Sequence, residues 1–477
     1  MGQKKLQKTE DKRMSEKKRE TLNGWQSVLL LVCIIASVAV CISMKVGGPM
    51  IGLFFSWMII YGFCIIFRID YKRIHQGAYD ALRVVLPTMA ILMAIGVLIG
   101  TWMQSGTIPT IIVYGLKAIN PTFLLPFTLI FTAVISLVTG TSYGSAGSAG
   151  VAMMAIGHAM GINPGMVAGA VICGAMFGDK LSPFSDTTNL APAVAGAKLG
   201  DHVKSMIWTT IPPMVISIVI FTVLGISQTS GGYDPGDLNS YINYLEGSFH
   251  IGWVTLIPAI LIIVLLLFRV GAFEALGIGA IAGAVTAMAV QGADLKSVLT
   301  VAYNGFTSDT DMAVLKSILN RGGMSSMLQY VAIITFAVGM GGMLDKLGVL
   351  DKILSVFIKK IHSDGTLILA TLIVGYITSL VSGSSPMSHV LTGRLMQPLF
   401  QERGIEPRIL SRCLEDSGTL AGPMIPWHGY GIYMAGTLGV TWSQYILFVP
   451  LLWLTPIFSI FYGFTGISIL HTKKNEQ

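Results

Sequence analysis

The chain has 477 residues, of which 53% are hydrophobic and only 12% charged, with a formal net charge of +7 and a mean hydropathy of +0.70. A soluble domain carries about 25% charged residues. These proportions therefore exclude a soluble globular protein, because so few charges would not cover that much apolar surface.

The sequence opens with a charged segment, residues 1–22. Lys4, Lys5, Lys8, Lys12, Arg13, Lys17, Lys18 and Arg19 there outnumber Glu10, Asp11, Glu16 and Glu20, and supply more than half of the net charge. With no small-residue cleavage site before the first apolar run, it reads as a solvated cytoplasmic tail, neither a signal peptide nor a nucleic-acid-binding arm. Apolar runs near the ~20 residues needed to cross a bilayer follow at 25–44, 47–67, 85–103, 122–138, 204–226, 251–268, 273–290, 328–344, 365–382 and 443–468. Gly- and Pro-interrupted runs fall at 144–160, 164–181 and 405–440. Arg68, Lys72, Arg73 and Arg83 after the second run place that loop on the same, cytoplasmic side as the tail, in accord with two intervening crossings. The expected architecture is an all-α polytopic membrane protein in a bacterial cytoplasmic membrane, both termini cytoplasmic and the bilayer its principal partner.

A repeat divides the chain. Residues 136–142 read SLVTGTS and residues 379–385 read SLVSGSS, identical at five of seven positions. Lys45-Val46-Gly47 recurs as Arg269-Val270-Gly271, and Gly225-Ile226-Ser227 as Gly466-Ile467-Ser468. The expected organisation is a first transmembrane repeat at 23–227, a polar connecting loop at 228–249, a second repeat at 250–470 and a short tail at 471–477. An odd number of crossings in each half would turn the second upside down relative to the first, as in many secondary transporters.

Three stretches break the apolar pattern: TGTSYGSAGSAG at 139–150, GDKLSPFSDTTNLAP at 178–192, and SGSSPMSH at 382–389 with EDSGTLAGPMIPWHG at 415–429. Glycine disfavours a continuous helix there, and the hydroxyls supply oxygens in place of water. Ionisable groups within spans cost roughly 2.5–3.5 kcal/mol each and are functional-site candidates by default, which singles out Asp179, Asp186, Glu415 and Asp416. Proline removes a donor and excludes the carbonyl four residues back from the helical ladder. Pro183, Pro192, Pro386, Pro423 and Pro426 would so release the carbonyls of Asp179, Thr188, Ser382, Thr419 and Gly422. Those carbonyls lie among the side-chain oxygens of Ser182, Ser185, Thr187, Asn189, Thr139, Thr141, Ser142, Ser382, Ser384, Ser385 and Ser417. A small hard cation such as sodium wants an all-oxygen cage of this kind, and unwound helices supply it. Burial disfavours the charged form of a carboxylate. Asp179 and Asp186 are thus the candidate acids that trade a proton for sodium, held away from water and neutralised by one or the other. Glu415, Asp416, Ser417, Thr419 and His428 form a second-half polar site.

Plainer readings stand beside these. Lys180 is read as a structural ion-pair partner of Asp179 or Asp186, and Glu415 and Asp416 as membrane-edge acids paired with Arg412. His158, His389 and His428 are read as packed polar residues or proton relays. Cys33, Cys41, Cys64, Cys173 and Cys413 lack metal or redox spacing. The spacings Gly96/Gly100, Gly157/Gly161, Gly165/Gly169 and Gly174/Gly178 mark close helix packing.

The run from Gly178 to Pro192 resembles the signature of NhaC-type sodium/proton antiporters. The glycine-rich GTSYGSAGSAG and LEDSGTLAGPMIPWHGYG are similar to that family's other polar segments. The resemblance implies a secondary carrier of the ion transporter superfamily with inverted repeats, re-entrant hairpins and a homodimer, needing no cofactor beyond the transported sodium and protons. It places Asp179, Ser182, Asp186, Thr187 and Asn189 in or beside the cation site. Relatives include exchangers of malate with lactate and carriers of amino acids, so exchange of a small organic anion is the second reading, with Lys180, Arg394 or the amides at 140–150 as anion ligands. An intramembrane enzyme is a third: Gly140-Thr141-Ser142-Tyr143-Gly144 matches GxSxG, but that elbow needs a strand before it, and no HExxH occurs. A channel is a fourth, disfavoured because a selectivity filter requires rings from several subunits.

Overall fold

The computed structural model describes residues 21–44, 48–229, 235–349 and 361–471. Nearly all of the charged tail, the Lys45-Val46-Gly47 match and the C-terminal tail after His471 lie outside them. Apolar sequence uninterrupted by breakers folds as expected into helices, and no strand longer than an isolated bridge, such as that between Ile405 and His471, occurs among the described residues. Eight described helices are long and apolar enough to cross a membrane, or ten if two bent pairs each count as one span. This is a multi-pass membrane protein. Two expectations shift. The third span is far longer than its apolar run, Tyr71–Gln104. The expected connecting loop is helical over Pro235–Ser248, bent by 93° from the helices that follow.

The residues pack as two compact units. One holds 21–84 and 335–349. Within it the Gly24–Ser43 and Gly48–Ile66 helices meet where Gly52 leaves no room for a side chain, since a Cβ there would lie 2.6 Å from the Val38 Cα. The Ser37 hydroxyl donates across the same contact to the Gly52 carbonyl at 2.9 Å. Trp57 packs its ring over Gly339 and donates its indole N–H to the Phe336 carbonyl at 2.7 Å.

The other unit, 85–334 with 361–471, contains the three polar breaks. Its most closely packed helices are Leu124–Thr139 and Pro164–Leu181. Gly174 and Gly178 let the backbones touch, because a Cβ at either would strike the Leu129 or Ala133 carbonyl. The expected role of these small residues therefore holds, whereas Gly161 instead ends a helix in the left-handed conformation, at φ 69°.

The SLVTGTS repeat is geometric as well as sequential. The Leu124–Thr139 helix stops at Gly140 (φ 71°, ψ 25°), and Thr141 is extended (φ −145°, ψ 120°) before the chain re-enters a helix at Ser142. The Asp364–Ser382 helix stops at Gly383 (φ 63°, ψ 15°), with Ser384 at φ −144°, ψ 121° before a helix at Ser385. A spacing of 243 residues, from 140 to 383, then persists. It relates the helix ends Ala159 and Glu402, the left-handed Gly161 and Gly404, the helix starts Pro164 and Pro407, and the left-handed Gly196 and Gly439. Even a cross-helix bond recurs: Ser136 Oγ donates to the Ala175 carbonyl at 2.6 Å, and Ser379 Oγ to the Gly418 carbonyl at 3.1 Å. The other short match fails this test. Gly466 ends its helix left-handed at φ 73°, while Gly225 lies inside the Leu199–Thr229 helix, so their equivalence is sequential only.

Candidate functional site

The left-handed glycines deliver helix starts into the interior, and the polar segments meet there. Ser142, the first residue after the Gly140 break, donates its hydroxyl to Asp179 Oδ2 at 2.6 Å. Asp179 lies at the end of the Pro164–Leu181 helix and is 3% exposed. Its carbonyl, expected to be released by Pro183, is taken up by the Thr188 hydroxyl at 3.1 Å and the Ser182 N–H at 3.2 Å. That bond draws the Asp186–Ala195 helix back onto the break, with Ser185 as its N-cap.

Lys180 corrects the expected pairing. Its ammonium binds Asp416 Oδ1, both side chains fully buried, rather than Asp179 or Asp186. The Thr209 hydroxyl donates to the same Asp416 oxygen at 3.1 Å. Glu415 and Asp416 are accordingly not edge acids: both are fully buried, and Arg412 turns instead to the Ser468 hydroxyl at 2.8 Å. A buried charge pair loses several kcal/mol of hydration per ion and is held by mutual attraction plus hydrogen bonds, which Thr209 supports. Neither carboxylate oxygen of Glu415 has a hydrogen-bond partner among the described residues. It lies within electrostatic reach of Lys180 and Asp179.

Glu415 opens a π-helical turn, Glu415–Thr419, in which Ser417 donates back to the Cys413 carbonyl at 2.6 Å. π turns are rare and concentrate at functional sites. Here the turn frees the Gly418 carbonyl, which receives both Ser379 and Ser385 hydroxyls, the latter at 2.9 Å. Thr419 meets His389 Nε2 at 3.1 Å. His428 accepts the Tyr430 N–H at its Nδ1, 3.1 Å, as a helix cap, and its Nε2 faces Ser385 at 3.5 Å. Tyr430 stacks on Tyr143 with ring centroids 4.7 Å apart, joining the two halves beside Asp179.

Not every expected residue converges. Asp186 and Asn189 are exposed. Asp186 begins a helix, where a carboxylate suits the positive end of the dipole, yet it remains close enough to Asp179 for their charges to interact. The Asn189 amide donates to the Pro183 and Ser185 carbonyls at 3.0 and 2.7 Å, which shapes the break locally. Ser182 is buried, and Thr187 faces Ser185 at 3.1 Å. Thr141 caps the helix it precedes, and Ser382 bonds within its own turn. The buried Thr139 and Ser384 hydroxyls have no partner among the described residues. Thr209, Tyr143 and Tyr430 were not proposed as site residues from sequence; Thr188 was named for the carbonyl that Pro192 would release, whereas it is its hydroxyl that bonds the Asp179 carbonyl. Ser142 follows an α-helix and serves Asp179, so the strand–turn–helix elbow of a hydrolase is not formed there.

The sequence model described as the Na+/H+ antiporter family matches residues 19–188 and 174–467. The chain belongs to this family. Antiporter relatives bear it out along most of the length. The chain is 40% identical over 428 residues to the malate-2H+/Na+-lactate antiporter of Bacillus subtilis, covering 89% of this chain and 91% of that protein. It is 36% identical over 444 residues to the Na+/H+ antiporter NhaC of Alkalihalophilus pseudofirmus, covering 93% and 96%. It is 31% identical over 398 residues to the arginine/ornithine antiporter ArcD of Halobacterium salinarum, covering 83% and 82%.

Proposed function

We propose that this antiporter-family protein is a secondary carrier exchanging sodium for protons across the cytoplasmic membrane by alternating access. The observation that carries this reading is the Asp179 carboxylate, buried at a helix break, met by the Ser142 hydroxyl and by no cation among the described residues. An uncompensated carboxylate is costly there, so it binds a proton or a cation, and the two compete. A hydroxyl serves both states: it donates to the bare carboxylate and turns its oxygen toward a bound sodium. Lys180 and Asp416 neutralise each other, which leaves Asp179 and Glu415 as buried acids without an ion pair, and of these Asp179 is the one that a hydroxyl at a helix break serves. Asp186, at the open end of the break, is a proposed entry ligand, with Ser182, Thr187 and Asn189 shaping that side. Glu415, Ser417, Thr419 and His428 form the second half's polar wall.

We further propose that the two halves lie inverted in the bilayer, with cytoplasmic termini and a homodimeric assembly; the shared helix-end pattern at constant spacing supports a repeat. In proteoliposomes, adding sodium should move protons with no organic solute present. A strict requirement for malate or lactate would overturn this reading in favour of ion-coupled exchange of a small organic acid, the second reading, which the 40% identity to a malate/lactate exchanger supports.

A further inference from the structure

The Gly429–Leu438 helix begins beside the carboxylates and ends in the wall of a separate cavity of about 470 Å³. Its polar lining includes Arg321, Asn304, Asn320, Gln329, Tyr330 and Gln444, and no acidic residue. Arg321 has no ion-pair partner among the described residues. A half-buried guanidinium facing a cavity of amides and hydroxyls, without a counter-charge among the described residues, favours an anion.

The site is built. The Arg321 guanidinium lies on Gly439, a left-handed residue (φ 68°) where any side chain would collide with it. Tyr330 lies on Gly436 in the same manner, 3.1 Å from where a Cβ would stand. The rim is pinned by the Phe306 N–H donating to the Arg321 carbonyl at 3.1 Å and the Ser308 N–H to Asn320 Oδ1 at 2.5 Å. Ser326 and Met327, in the first turn of the Met324–Lys346 helix, also line the cavity. The positive end of that helix's dipole adds to the guanidinium.

We propose that this pocket binds the carboxylate of a small organic acid through Arg321. The guanidinium fork matches a carboxylate in two parallel hydrogen bonds, and the amides and Tyr330 suit the hydroxyl or carbonyl groups of such an acid. The site is distinct from Asp179, so it stands independently of sodium–proton exchange.

Calorimetric titration of the full-length protein in nanodiscs with malate and with lactate tests it, with chloride and inorganic phosphate as controls at equal ionic strength. Saturable binding of at least one carboxylate is expected. Arg321→Gln should weaken it about tenfold or more, with Arg321→Lys between, keeping charge but losing the fork. No binding of either acid, equal binding by Arg321→Gln, or equal binding of chloride or phosphate would overturn the proposal. Should the variants misfold, phenylglyoxal labelling of Arg321 in the unaltered protein decides: malate should slow it, and unchanged labelling rejects the site. Sodium-driven proton flux without carboxylates reports separately on the cation site.

Discussion

The breaks after Thr139 and Ser382 share a backbone and differ in chemistry. Each is a left-handed glycine followed by one extended residue and a helix start. At the first, the helix-starting Ser142 serves a carboxylate; at the second, Ser385 serves the Gly418 carbonyl. The acids are not equivalent either. At the spacing of 243 that relates the helix ends, Asp179 falls opposite Gly422, and Glu415 and Asp416 fall opposite Ile172 and Cys173. The repeat fixes where chain breaks occur, and individual substitutions decide which break holds charge. One half offers a carboxylate with a hydroxyl donor, while the other offers an acid already bound to Lys180 and, beside it, Glu415 without a hydrogen-bond partner among the described residues.

That contrast is open to direct attack. The largest effect is expected from Asp179→Asn, which should abolish sodium-dependent proton flux in proteoliposomes while folded protein remains. Asp186→Asn should retain measurable flux, since Asp186 is exposed; the reverse order would move the exchange site to the mouth of the break. Asp416→Asn strands the Lys180 charge, and removing one partner of a buried pair costs about 3–5 kcal/mol. Its melting temperature should fall, with Lys180→Met in the same chain restoring much of the loss, and no recovery would show that the pair is not a closed unit. Smaller again, Gly140→Ala and Gly383→Ala should each cost about 1–2 kcal/mol for left-handed backbone. Gly140→Ala should be the worse, because a Cβ there would sit 2.7 Å from that of Phe184. Finally, Ser142→Ala should raise the apparent sodium KM by roughly tenfold, with Ser385→Ala leaving it nearly unchanged. Equal effects would erase the distinction between the two breaks.

Much of this was legible in sequence because it is local. Apolar length gives the spans, and glycine with small polar residues gives the breaks, including the SLVTGTS and SLVSGSS pair. Partner choice was not local. Lys180 meets an acid 236 residues away, although Asp179 adjoins it in the chain and Asp186 stands one step around the break. Which neighbour a lysine selects depends on how the Pro164–Leu181 helix is rotated, and packing at Gly174 and Gly178 sets that. Asp186 and Asp179 share one motif, yet the Thr188 bond to the Asp179 carbonyl turns the following helix so that one acid is enclosed and the other is not.

Two similar halves on one chain run the hazard of exchanging mates during insertion. The packing of their equivalent helices carries a safeguard. Thr132 fills the hollow at Gly174, whereas in the second half the hollow is Gly375 and the filler is Ser417. Bulk has moved to the opposite helix. A wrongly crossed pairing would therefore set Thr132 against Ser417, two protrusions, and leave Gly375 facing Gly174 across a gap. At this contact the two halves are told apart by shape, with no charged group involved.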